Sequence, residues 1–374
     1  MQALTTLEKG IQRSAREFAV GEFERELLSH MRKEQVWPDG LFRQAAELGL
    51  IGVNLPESLD GGGLGMAARA VVLETFAAID STAAFALASG TFGAEVISRF
   101  ASEALQTRVL PGLALGVARC SLALYEAPVQ SLPLILSATA ERVEGGWLLS
   151  GEKRRVWGGI NANWFLVGCV SESEPVILFC VDASYDGISV APEPCRMGLE
   201  MVKTATVHLN RVMVPDDACL GDDATLKCLW SGHWIDVAAL ALGVGRGAMD
   251  RALAYVRKRS QFGKPIGAFR ITRQKVARLS GKLELARLAT RRAAELFDLG
   301  KADEAASALA RISATKAAVA VSDEAIQLLG GYGYMTEYDV ERSLRDAKTL
   351  ELLGGERSLL EEILADRELG KRRR

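Results

Sequence analysis

Two segments in the last third of the chain carry residue types suited to holding a dinucleotide. In Arg259-Ser260-Gln261-Phe262-Gly263 a permanent cation stands three residues before an aromatic ring. Such a guanidinium meets a pyrophosphate with forked N–H donors, and Phe262 offers a face to the adenosine end. In Gln327-Leu328-Leu329-Gly330-Gly331-Tyr332-Gly333-Tyr334 three glycines lack a Cβ. Their backbone can therefore approach a phosphate and donate N–H groups. By itself such a turn could equally do no more than end a helix. A second pair of residues could move protons. His233 and Asp236 are three apart, which places them on one helix face if a helix extends that far. Asp236 stands near the expected start of an apolar helix, where an acid is also favoured as a cap. Capping and proton abstraction both fit it at this point.

The elements that must position these groups fall into three stretches. Residues 7–50 show apolar positions at helical spacing with charges between them. The loop NLPESLDGGGLG follows, broken by Pro56 and its glycines. Alanine-rich helical patterns then occupy residues 67–90 and 92–113. From about Cys120 the pattern changes to short alternating runs such as WLLSGEKRRVW, NWFLVGCV and PVILFCVD, separated by turn residues. Helical stripes return at 235–258, 273–299, 303–329 and 357–369. The expected architecture is mainly α with a central β domain. A helical domain spans 1–118, an antiparallel sandwich or barrel 119–225, and a four-helix bundle 226–374, an uncommon order.

Bulk composition narrows the classes. The chain has 374 residues, too many for one compact core. It is 49% hydrophobic and 25% charged, with a formal net charge of −2. That balance argues against nucleic-acid or anionic-membrane partners. The basic end at residues 371–374 reads as a solvated tail. Six cysteines form no C-x-x-C pair, and no Cys/His cluster has zinc spacing. No secretory n-region opens the chain, and no run of about 18 apolar residues occurs. The expectation is a metal-free, reduced, cytoplasmic protein.

Taken in this order and separation, Arg259 to Gly263 with Ile266 and Phe269, Gln327 to Tyr334, Glu337-Tyr338, Glu341-Arg342 and Arg345-Asp346-Ala347-Lys348 resemble the acyl-CoA dehydrogenase family. The resemblance extends over the whole chain. It implies FAD as cofactor, held by Arg259, Phe262, Gln327, Gly330 and Gly331, with Gln327 and the glycine turn reaching the FAD of a neighbouring subunit. It also implies an acyl thioester substrate on CoA or an acyl-carrier protein, and an electron acceptor. A homodimer or homotetramer is implied too, or a heteromeric partner. The GGGLG loop would lie near the acyl site or serve as a plain surface turn. Trp147 and Trp164 are expected in the sandwich core.

The departures from the family pattern cluster at the flavin ring and the acyl site. Where the family reads T-E-P-G-A-G-S-D, this chain has residues 125–132, and only Glu126 and Ser131 fit. Ser131 is thus the flavin-contact candidate of that stretch. Where K-x-W-I-T-N is usual, Arg155 replaces the tryptophan and Trp157 the threonine that bonds flavin N5. The usual catalytic glutamate falls on Gly354. The alternative base position of a family subset falls on His233, with Asp236 a turn further on and favoured here as the base. Three functions stay open: thioester dehydrogenation, other flavin chemistry or a base-less subunit, and a protein that has lost its flavin.

Overall fold

The computed structural model describes residues 4–126 and 136–370. Seven helices come first: α1 (Thr6–Glu22), α2 (Arg25–Glu34), α3 (Asp39–Glu47), α4 (Gly65–Ile79), α5 (Ser81–Ser89), α6 (Ala94–Phe100) and α7 (Glu103–Ala114). All three stretches that look continuous in sequence are split, the first of them into α1, α2 and α3. Asp80 ends α4 and caps α5 by accepting from the N–H groups of Thr82 and Ala83 at 3.0 and 2.9 Å. Ser102 does the same for α7 through Leu105 N–H. In the glycine loop, a Cβ on Gly61 would stand 2.3 Å from the Leu55 carbonyl oxygen. Close backbone approach accounts for that glycine.

The middle domain holds β1 (Cys120–Ala123), β2 (Thr139–Val143), β3 (Gly146–Trp157), β4 (Trp164–Cys169), β5 (Ile177–Asp182), β6 (Ile188–Pro192), β7 (Thr204–Pro215) and β8 (Cys219–Gly221). They form two four-stranded sheets, ordered β1-β4-β5-β8 and β2-β3-β7-β6. Leu149, Val156, Phe165, Phe179, Val207 and Val212 from both sheets close a shared core, a sandwich. Among the described strands, β1 departs from the antiparallel expectation and runs parallel to β4. Trp147 packs on Phe179 with ring centroids 5.6 Å apart, on the sandwich core. Trp164 instead joins the larger helical core.

The C-terminal bundle consists of α8 (Asp223–Lys258), α9 (Arg270–Asp298), α10 (Glu304–Leu329), α11 (Val340–Leu352) and α12 (Arg357–Leu369). Asp222 and Asp303 cap α8 and α10 through the N–H groups of Ala224 and Ala306. Helix α8 begins twelve residues before the expected 235, because polar residues interrupt the apolar pattern in its first turns. Helix α11 lies in the family motif, where no helix is expected from periodicity. By length and composition α8 could cross a membrane, but its apolar window is wholly buried inside the protein.

The motif charges act as struts between these layers. Arg342 of α11 pairs with Asp80 at 2.8 Å. Asp346 accepts from Leu199 N–H at 2.7 Å and from the Ser81 hydroxyl. Arg345 pairs with Glu200 and, at 3.1 Å, with Glu341.

Candidate active site

Helix α8 brings the proton-moving candidates together. Its residues from Cys228 to Gly245 are buried, so each side chain there meets another element. Trp234 donates from Nε1 to the Gly354 carbonyl at 2.7 Å, which locks the loop after α11 onto α8. Gly354 has φ +81°, where an L side chain is strained. A Cβ built there would lie 3.0 Å from Trp234 Cδ1 and 3.2 Å from His233 Cδ2. The two positions that counting assigns to a base therefore meet in space. One has no side chain, and the other is an imidazole.

His233 is 3% exposed and lies in the third turn of α8, not at its start. Burial, reinforced by the Arg311 and Arg69 cations, pulls its pKa down to about 3. Its Nδ1 has no hydrogen-bond partner among the described residues. Its ring meets Phe92 edge-on at 4.8 Å.

Asp236 lies deeper still, well past the helix start, so it does not cap; Asp222 does. Its carboxylate is gripped twice by Arg69, Nε to Oδ1 at 2.8 Å and Nη2 to Oδ2 at 2.9 Å. Arg69 also donates to Thr91 Oγ1 at 3.0 Å and the Ala88 carbonyl at 3.3 Å. Burial raises the Asp236 pKa, and Arg69 opposes the shift. Both oxygens being occupied, Asp236 serves as a strut that fixes the segment carrying Phe92. This geometry does not suit the base role expected from the sequence.

A run of aromatic rings links this region to the β domain. Trp157 at the end of β3 meets Phe85 at 5.0 Å, and Phe85 meets Phe92 at 5.9 Å. Arg196 lies 4.8 Å over the Trp157 ring. Trp157 thus faces the helical domain and not the sandwich core. Nearby, buried Lys153 is held by Glu126 and the Gly168 carbonyl. Glu126 in turn accepts from Ser137 and from Ala138 N–H. Ser131 lies outside the described residues.

The dinucleotide candidates sit apart, on the surface. Arg259, Gln327, Gly330 and Gly331 are exposed, and Phe262 is 93% exposed. The structure joins the two motifs. Tyr255, one turn before Arg259, meets Tyr332 of the glycine turn at 6.0 Å between centroids. Gly330 has φ +61°, and a Cβ on Gly330 or Gly331 would meet nothing within 4 Å. An open, bare turn and an exposed guanidinium with no ion-pair partner among the described residues suit a pyrophosphate.

Sequence reasoning missed three buried charges near α8. Arg69 and Arg311 are 3% and 2% exposed, and Glu95 is 4% exposed. Nothing in a lone arginine or glutamate marks it as buried. For Glu95 a signal was available in Gly232, a glycine inside a helix, which asks for an explanation.

The comparisons agree with this geometry. The family model for the acyl-CoA dehydrogenase N-terminal domain matches residues 5–117, and that for the C-terminal domain matches 234–369. A benzylmalonyl-CoA dehydrogenase of Aromatoleum aromaticum is 31% identical over 338 residues, 88% of this chain and 90% of that protein. An acyl-CoA dehydrogenase of Mycobacterium tuberculosis is 32% identical over 344 residues, 88% of each. Among solved structures, butyryl-CoA dehydrogenase from Megasphaera elsdenii superposes with a TM-score of 0.91 at 26% identity, covering 99% of this chain and 100% of that one. A glutaryl-coenzyme A dehydrogenase in complex with glutaryl-CoA gives a TM-score of 0.93 at 27% identity, covering 100% and 97%. Matched at both ends by the family's models and over most of its length by its members, the chain belongs to the acyl-CoA dehydrogenase family.

Proposed function

We propose that the protein is an FAD-dependent oxidoreductase that removes hydrogen from the α and β carbons of an acyl thioester. The thioester is carried by CoA or an acyl-carrier protein, and the electrons leave to a separate acceptor. The observation that carries this reading is the meeting of His233 with Gly354, joined by a continuous aromatic run to Trp157. The run connects the two positions where the family resemblance expects a base to Trp157, where it expects the flavin N5 contact. The named relatives act on benzylmalonyl-CoA, butyryl-CoA and glutaryl-CoA. Bound FAD supplies a two-electron oxidant. Arg259, Phe262, Gln327, Gly330 and Gly331 would hold it, and Trp157 would border its ring.

A second reading is favoured by Gly354, which has no proton-accepting group. On this view the chain does other flavin chemistry or is a base-less subunit of a heteromer. The test is anaerobic addition of butyryl-CoA and of a short acyl-carrier-protein thioester to the yellow, FAD-loaded protein. Bleaching of the flavin within seconds supports dehydrogenation. A flavin left oxidised by both donors selects the second reading.

We further propose a homodimer or a dimer of dimers. Phe262, Tyr334, Leu285 and Ile271 are 93, 84, 70 and 56% exposed, apolar side chains that a partner copy would cover. Sedimentation at micromolar concentration should show two or four copies. A stable, flavin-loaded monomer would rule this out.

A further inference from the structure

The segment from Phe92 into α6 crosses α8 at the turn that carries His233. Phe92 meets the His233 ring edge-on, and three residues later Glu95 points at Gly232. Glu95 is 4% exposed, and both its carboxylate oxygens lack a hydrogen-bond partner among the described residues. A Cβ on Gly232 would stand 2.5 Å from Glu95 Oε1. Glycine inside a helix costs about 1 kcal/mol relative to alanine. Here that glycine makes the space that admits a carboxyl group against the helix backbone.

The other carboxylate of this cluster is engaged. Asp236 takes two Arg69 donors, and no hydrogen bond from Arg69 reaches Glu95 among the described residues. A buried carboxyl that no neighbouring side chain hydrogen-bonds is held as an anion only at high cost. Burial and the Asp236 charge accordingly lift its pKa to about 7, with Arg69, the residue's own backbone N–H and Arg99 opposing. Cys228 on the adjacent turn is itself raised to about 11 by burial. The remaining candidates are weaker. Gly354 has no side chain, His233 is pulled to about 3, and Asp236 is occupied.

We propose that Glu95 is the general base of this site, taking the α-proton of the acyl thioester. The proposal rests on the dehydrogenation reading above. In the step, the Cα–H bond breaks and its proton passes to a Glu95 carboxylate oxygen. The electron pair stays on Cα and forms the new C=C bond as the Cβ–H bond breaks. The two electrons of that second bond go to the flavin, so the thioester is oxidised and the flavin reduced. A base near neutral pKa is in the range suited to such a transfer.

The test separates proton removal from oxidation by using acetyl-CoA, which has α-protons but no β-carbon. The FAD-loaded protein is incubated with it in D2O, and α-deuteration is followed by NMR. The wild type should exchange α-protons, with a rate that rises through an apparent pKa near 7. Glu95→Gln should lose 100-fold or more while keeping its flavin spectrum and melting temperature. Glu95→Asp should recover part of the rate. In FAD-free protein carrying 13C-labelled glutamate, a carboxyl resonance titrating near 7 should vanish in Glu95→Gln. Undiminished exchange in Glu95→Gln overturns the proposal. So does a wild type that does not exchange, or one whose rate titrates below pH 5. Should Glu95→Gln not fold, the wild-type pH profile and the Glu95→Asp rate still decide. Exchange without bleaching by butyryl-CoA would keep Glu95 as base and sink the dehydrogenation reading alone.

Discussion

Asp236→Asn should lower the unfolding free energy by about 3–5 kcal/mol, the usual loss when one partner of a buried ion pair is removed. The pair is buried on both sides, at 3% and 1% side-chain exposure. Asparagine keeps the shape but removes the charge, so the Arg69 guanidinium is left buried against a neutral amide. The measurement is urea denaturation with FAD held at a fixed saturating concentration, since ligand binding to the folded state adds its own stability. The double variant Arg69→Met, Asp236→Leu should recover most of the loss, because an apolar pair avoids desolvating two charges. A single variant within 1 kcal/mol of wild type would show that Arg69 finds another counter-ion, with Glu95 the nearest. The experiment also separates the two roles considered for Asp236. A strut loses stability and passes only a secondary effect to flavin reduction. A base would lose flavin reduction at full stability.

Arg259→Ala should weaken FAD binding roughly ten- to a hundred-fold, since one charge-assisted hydrogen bond contributes about 1.5–3 kcal/mol. The side chain is exposed, so its removal leaves no cavity and should leave the melting temperature of the FAD-free protein within a degree or two. Equilibrium dialysis of the flavin gives the binding constant directly. Raising salt should weaken wild-type binding more than binding to the variant, because the lost contact is a solvent-accessible charge pair. Full FAD occupancy in Arg259→Ala at micromolar flavin would assign the phosphate contact to another cation.

The order of helices, sandwich and bundle was legible because each element depends on local pattern. Helical stripes at 273–299 and 303–329 fall on α9 and α10, and 357–369 coincides with α12. The cofactor motif was legible for a similar reason. Arg259, Phe262, Gln327 and Gly330 sit in short contiguous segments, so their types and spacing survive in one dimension. What failed locally failed for local reasons. Asp80 breaks a pattern that looks continuous, and the polar first turns of α8 hide its start, which turned Asp236 into an apparent cap.

The acid–base chemistry was decided elsewhere. Arg69 and Asp236 are 167 residues apart, and Glu95 meets Gly232 across a similar separation. Whether a carboxylate is a strut or a free base depends on which distant cation reaches it, and no periodicity records that. By itself the sequence determined the family, the layers and the residues suited to hold the dinucleotide, because those follow from local spacing. Only the tertiary structure left Asp236 gripped by Arg69, His233 neutral and the Glu95 carboxylate without a side-chain hydrogen bond among the described residues, because burial and long-range charge pairing set the protonation of each group.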